Sequence, residues 1–216
     1  MIGFRPGALR DDRGRAVPPE VRRIVSLVPS DTYTLLELGA GERLVGRTRY
    51  CVEPTAGVER IPALGGTKDP DVDAIAALAP DVVVMNQEEN TESVCEALEA
   101  RGLRTFVTFP KRFADGVALV ARLALLLKNP DDQQRALVKL AYETLRRAEM
   151  TKLGPRKRVF CPIWTDPWMT IHKDTFISDL LDHLGCDNVF ADRARRFLLR
   201  ADLGEAKELP AARTRG

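Results

Sequence analysis

The run Asp81-Val82-Val83-Val84-Met85 constrains this chain more than any other stretch. After Asp81 it is apolar without interruption through Met85 and of strand length, so neither face is left for water, as in a parallel strand covered on both sides. The flanking sequence supplies the crossovers such a strand needs. Arg23 to Val28 reads as a strand, Pro29-Ser30 as a turn, and Asp31 to Leu38 as a helix capped by Ser30 and ended by Gly39 and Gly41. Leu44 to Gly46 reads as a short strand and Ile61 to Leu64 as another extended segment. After the turn Gly65-Gly66-Thr67-Lys68, Asp69 as N-cap and Pro70 as first residue mark a further helix. Thr91 to Ala100 is helical, Arg104 to Thr108 is a buried-type strand, and Phe113 to Leu127 is a helix. Strand and helix alternate at intervals of about 20 residues, which predicts right-handed crossovers and a parallel sheet clothed on both faces.

Asn129 to Gly154 interrupts that alternation with one long helix. Asn129 stands as N-cap and Pro130 as first residue, with Asp131 and Asp132 at the positive end and Arg146, Arg147 and Lys152 near the other. Gly154 and Pro155 stop it. Leu137, Leu140, Ala141, Thr144, Leu145 and Ala148 form its apolar stripe, giving roughly 23 residues and about 35 Å of amphipathic helix. It is either a surface helix packed on a sheet or a strut between two lobes. Beyond it the pattern resumes with a strand from Arg158 to Trp164, a helix from Thr175 to Leu184 and a short strand from Asn188 to Phe190. A last helix, Leu203 to Leu209, gives way to an arginine-rich end. The expected fold class is α/β: two three-layer lobes with parallel sheets joined by one long helix, the C-terminal lobe reading as truncated. The expected boundaries are 1–128 for the first lobe (1–21 an arm with a short edge strand near Gly14 to Val17), 129–154 for the helix and 155–216 for the second lobe.

Composition removes several function classes. The 33 Lys and Arg against 31 Asp and Glu leave a net charge of +2, which argues against a polyanion or nucleic-acid binder. Many arginines, Arg10, Arg13 and Arg15 among them, sit near the two ends and read as solvated tails. Cys51, Cys95, Cys161 and Cys186 make no CxxC pair, so no zinc knuckle, redox motif or disulfide framework is indicated. No secretory signal and no span of about 18 apolar residues is visible, so the chain as written reads as cytosolic.

In open parallel sheets ligands bind at the carboxyl ends of the strands. The loops there offer Ser30; Tyr50; Gly66, Thr67 and Lys68; Gln87 and Glu88; Phe109; and Trp164 and Trp168. Aromatic and amide groups without a nucleophile and base pair suit binding more than bond-breaking. The alternative for the two tryptophans is that they plug the second lobe's core. Gly65-Gly66 fits neither a dinucleotide fingerprint nor a Walker loop. His183 reads as a packing or surface residue, and His172 alone makes neither a triad nor a zinc site. Glu88 and Glu89 could ligate a cation, but adjacent acids at a helix start more often serve its dipole.

Several stretches resemble a known family. Arg23-Ile-Val-Ser-Leu-Val-Pro-Ser30, Val45-Gly-Arg-Thr-Arg-Tyr-Cys51, Leu64-Gly-Gly-Thr-Lys-Asp-Pro70 and Ala79-Pro-Asp-Val-Val-Val84 are similar to the helical-backbone, cobalamin- and metal-chelate-type periplasmic solute-binding proteins of ATP-driven importers. Asp11 to Val17 resembles their mature start, and the likeness continues through Lys157 to Phe160 and Thr175 to Leu181 to Asn188-Val-Phe190. The resemblance implies a strut role for the long helix and a cobalamin-like or metal-chelate ligand held between two lobes. It places Ser30, Tyr50, Lys68, Gln87, Glu88, Phe109, Trp164 and Trp168 against that ligand. It also implies docking of the monomer on a membrane permease through one acid per lobe, Asp73 and Glu205. No catalysis, resident cofactor or structural metal is implied. Two other readings stay open: a cytosolic corrinoid- or metal-handling protein or enzyme using Glu88, Glu89 and His172, and a truncated, non-functional remnant.

Overall fold

The computed structural model describes residues 9–18, 20–128, 131–151, 153–165 and 168–193. In chain order the elements are β1 (Ile24–Ser26), α1 (Pro29–Glu37), β2 (Leu44–Arg47), α2 (Thr55–Val58), α3 (Val72–Ala77), β3 (Val82–Asn86), α4 (Glu92–Ala100), β4 (Thr105–Thr108), α5 (Phe113–Leu127) and α6 (Asp132–Met150). They continue with β5 (Lys157–Val159), β6 (Pro162–Thr165), β7 (Trp168–Thr170), α7 (Phe176–His183) and β8 (Cys186–Asn188). The described residues form two compact units, one within Met1–Pro110 and Asp115–Thr144, the other within Lys111–Ala114 and Leu145–Gly216.

In the first unit the strands make one all-parallel sheet in the order β2-β1-β3-β4. β3 lies inside it, and the alternation along its apolar run explains why no polar residue interrupts it. Val82 and Val84 pack with Ile24, Leu35, Leu38, Phe106 and Leu123 on one face. Val83 and Met85 pack with Val25, Ile75, Val94, Leu98 and Val107 on the other. Thus α1 and α5 cover one face while α3 and α4 cover the other, a three-layer α/β/α arrangement. Each fully buried Val or Leu contributes about 1.5–3 kcal/mol, so the two-sided cover is what holds the sheet.

Several local expectations are corrected. The described part of the N-terminal arm is held to the core: Leu9 and Val17 pack against it, and Val21 belongs to it. Arg10 and Ala16 form an antiparallel bridge. Asp11, 6% exposed, explains the fit: its carboxylate accepts the amides of Arg13 (3.0 Å), Arg15 (2.7 Å) and Val107 (3.2 Å). The segment so held lies along β4, whose outer edge would otherwise be unpaired. Arg13 and Arg15 are accordingly no solvated tails; they pair with Glu92 and Glu99.

Ser30 is not the cap of α1. The helix begins two residues earlier than expected, at Pro29, whose missing N–H needs no cap, and the extended Val28 precedes it without a side-chain capping bond. For α3 the cap is Asp71, which accepts from the Ala74 amide at 2.9 Å, and not Asp69. Gly65, at φ 91°, turns the chain so that it bridges Pro70, and this tight loop consumes Asp69 and Pro70 before the helix can start. Ile61 to Leu64 makes only an isolated bridge through Ala63.

Asn129 and Pro130 lie outside the described residues, as do Lys152, Asp166, Pro167, Glu205 and the expected helix from Leu203 to Leu209. α6 itself starts at Asp132, with the Asp131 carboxylate accepting the Gln134 amide at 2.8 Å. Gln134 is buried and donates to the Leu38 carbonyl, and Leu137 and Val138 pack on the core. Leu140, 54% exposed, is off that stripe, and so is the exposed Thr144.

In the second unit β5 and β8 pair in parallel, and β6 and β7 form an antiparallel hairpin. The single strand expected from Arg158 to Trp164 is therefore two: it breaks before Pro162, which has no N–H to continue a ladder. The expected strand at Asn188 to Phe190 sits earlier, at Cys186–Asn188. α7 is capped by Thr175, whose hydroxyl accepts the Ser178 amide at 3.3 Å. Among the described residues no helix is long and apolar enough to cross a membrane. All four cysteines are free thiols.

Candidate ligand-binding site

The carboxyl edge of the first unit's sheet is where the loops after β1, β2, β3 and β4 end, together with the turn Gly65–Lys68. Ser30 is exposed in the first turn of α1. Tyr50 is 51% exposed; the Arg49 guanidinium lies 5.0 Å over its ring and also reaches the Asp69 carboxylate at 3.2 Å. Gly66 and Thr67 are buried. The space a Cβ at Gly66 would need is already taken by Asp69 and Arg49. Lys68 is exposed and donates to the Glu88 carbonyl, which links its turn to the β3 loop.

That β3 loop is a polar knot. Asn86 accepts the Glu88 amide through Oδ1 at 2.8 Å, an Asx turn that presents Gln87, Glu88 and Glu89 to solvent. Asn90, buried, accepts the Asn86 amide at 2.8 Å and donates through Nδ2 to the carbonyls of Thr67 (2.8 Å) and Leu27 (3.2 Å). One side chain thereby ties three loops. Gln87 and Asn90 line a cleft of about 490 Å³ with Asn86, Arg13 and Cys95. Phe109 and Pro110 line a second, of about 320 Å³, with Asp12, Asp115 and Arg122. Phe109 is held there because its amide donates to Asp12 at 2.6 Å, and Arg122 grips the same carboxylate at 2.7 Å.

Beneath these loops lies Asp31, 3% exposed. Burial raises its carboxyl from 3.8 to about 7; hydrogen bonds from Thr108 and Ser30 and the charge of Arg122 work in the opposite direction, and Asp12 adds to the rise. The sequence shows Asp31 only as the first residue of a helix and gives it no role at the site. Its signal was weak: an acid directly after a buried-type strand and Pro-Ser. The linking roles of Asn90 and Thr108 were missed for the same reason, since their work is done through contacts far away in sequence.

On the second unit Trp164 is 62% and Trp168 41% exposed on the β6–β7 hairpin, so they do not plug a core. Strand β6 is exposed along its whole length, which is why its tryptophan stays outside. The Phe160 ring stands 6.0 Å from that of Trp168 and 5.5 Å from that of Phe190. His183 is a packing residue, edge-on to Phe113 at 5.5 Å. His172 accepts the Asp174 amide within its own turn. Asp73 is exposed in the first turn of α3 and pairs with Arg101 at 2.8 Å. Among the described residues no three His, Cys, Asp or Glu side chains group as metal donors.

The family described as "Periplasmic binding protein" matches residues 24–212. The chain belongs to that family. A vitamin B12-binding protein of Yersinia pestis is 24% identical over 170 residues, 79% of this chain and 60% of the relative; this chain thus spans under two thirds of the relative's length. The crystal structure of the periplasmic vitamin B12 binding protein of Vibrio cholerae matches at a TM-score of 0.72 and 19% identity, over 82% of this chain and 69% of that one. A periplasmic heme binding protein from Pseudomonas aeruginosa matches at 0.71 and 20%, over 85% and 68%. At such identities these structures share the fold. The relatives named are binding proteins.

Proposed function

We propose that this chain is a solute-binding protein that captures a cobalamin-like or metal-chelate ligand, a large metal-centred macrocycle, for an ATP-driven importer. The observation that carries the reading is the set of exposed aromatics of a periplasmic binding protein fold, Tyr50 on the loop after β2 and Trp164 and Trp168 on the strands of the β6–β7 hairpin. Flat rings of this kind stack on a macrocycle face, while Ser30, Lys68, Gln87 and Glu88 supply polar contacts at its rim. Ser30, Tyr50, Lys68, Gln87, Glu88 and Phe109 are the contacts of the first unit, with Gly66 and Thr67 shaping the turn; Trp164 and Trp168 are those of the second. The names of the relatives, which bind vitamin B12 or heme, favour the same ligand class. The partition into 1–128, 129–154 and 155–216, with α6 as connecting helix, belongs to this proposal, as does docking on a permease through Asp73 and Glu205. Asp73 would have to exchange Arg101 for an arginine of the permease, a small loss for an exposed ion pair.

Tryptophan fluorescence tests the proposal. Cyanocobalamin and ferric haem both absorb where indole emits, so binding is expected to quench the emission saturably, with Trp168→Ala and Tyr50→Ala each weakening the affinity. Quenching that rises linearly with either compound, unchanged by both substitutions, would contradict it.

A further inference from the structure

We propose that Asp31 is a positioning residue for the ligand loops: from the first turn of α1 it holds, through Thr108, the hydrogen-bonded chain that fixes the loops after β1, β3 and β4. The inference rests on the assignment of those loops to ligand binding. Asp31 Oδ2 lies 3.2 Å from Thr108 Oγ1, and Asn86 Nδ2 donates to the same hydroxyl at 3.3 Å. Asn86 in turn is held by Asn90, which reaches the carbonyls of Leu27 and Thr67. The chain starts at a buried carboxyl and ends on the turn that carries Lys68.

Thr108 has one hydroxyl proton and two acceptors for it, Asp31 Oδ2 at 3.2 Å and the Met85 carbonyl at 3.1 Å. With Asp31 neutral, its own O–H donates to Thr108, Thr108 donates to Met85, and the Asn86 amide fills the remaining lone pair. Every partner is used. With Asp31 ionised, the two acceptors compete for one proton and the register of Thr108 and Asn86 loosens. The charged groups that face Asp31 are Arg122 on α5 and Asp12 on the N-terminal segment, and Ser30 and Thr108 contact it by hydrogen bonds. Arg122 and Asp12 pair with each other at 2.7 Å, so their charges largely cancel at Asp31 and burial dominates, raising it to about 7. The loops are therefore held more firmly below neutral pH than above it.

Amide hydrogen exchange of residues 86–90 and 109, in the ligand-free full chain at pH 6 and 8 and corrected for intrinsic rates, reads the positioning directly. Affinities for ferric haem and cyanocobalamin on the same samples read its consequence. The parent chain is expected to lose protection and affinity by roughly fivefold or more from pH 6 to 8, the low end of ordinary coupling between sites. Asp31→Asn, neutral throughout, is expected to show no such slope. Thr108→Val, which keeps the carboxyl but cuts the chain, is expected to be less protected at both pH values and equally flat. An unchanged slope in Asp31→Asn, or no slope in the parent chain, overturns the positioning role. Failure of both probes to bind any of the proteins would instead remove the ligand assignment, while the exchange data still decide whether Asp31 sets the loops.

Discussion

Asp31→Asn has a second consequence, for stability, and its size follows from the burial of the carboxyl. Asp31 titrates near 3.8 when solvated and at about 7 in the fold. A difference of roughly three units at 1.36 kcal/mol each amounts to about 4 kcal/mol. The group sits in the first turn of α1, where the helix dipole favours a negative charge by about 0.3–1 kcal/mol, so about 3 kcal/mol is a fair expectation. Between pH 4 and 7 the native chain keeps a proton that the unfolded chain has lost. Stability conferred by the neutral carboxyl is thus full at low pH, declines as pH rises through that window, and stays low above it. Asparagine carries no such dependence. Urea unfolding of both proteins from pH 4 to 8 is expected to show the variant gaining about 3 kcal/mol relative to the parent chain across the series, because all other groups titrate alike in both. Parallel stability curves would refute the reasoning and place Asp31 in contact with water.

Other positions yield sharper local tests. Asp11→Ala leaves the amides of Arg13, Arg15 and Val107 without their acceptor and is expected to destabilise the first unit by about 2–3 kcal/mol in urea unfolding, with faster exchange along β4. Gly65→Ala puts a side chain at φ 91° against the Asp69 carbonyl and the Pro70 backbone, and about 2 kcal/mol or more is expected in the same assay. Leu98→Ala, fully buried under the α4 face of the sheet, is expected to cost about 2–5 kcal/mol. Thr91→Ala removes the α4 cap that accepts the Val94 amide, for about 1 kcal/mol.

The parallel sheet was legible because its evidence is local: an apolar run such as Val82 to Met85 has no alternative but burial on both faces, and the end of α5 at Leu127 is where its apolar residues stop. The helix starts were read one or two residues off where turn chemistry competed. Pro29 took the first position that Ser30 was expected to cap, and the Gly65–Pro70 bridge used up Asp69. The N-terminal segment escaped because its order comes from one carboxylate, Asp11, reaching an amide 96 residues away, which no periodicity encodes. The same holds for the candidate site. The loops carrying Tyr50, Lys68 and Gln87 followed from the rule that parallel sheets bind at their carboxyl edge, whereas Asp31, Asn90 and Thr108 declare themselves only when the strands are laid side by side. The hairpin of β6 and β7 was hidden by reading Arg158 to Trp164 as one strand across Pro162.

The most direct measurement of the central claim is calorimetric titration of the purified chain with cyanocobalamin and with ferric haem, alongside Tyr50→Ala. Saturable heat with at least one compound, and a loss of tenfold or more, about 1.4 kcal/mol, in the variant, is the expected result. Binding of neither compound by a folded chain, or binding unaffected by loss of Tyr50 and of both tryptophans, would contradict the account.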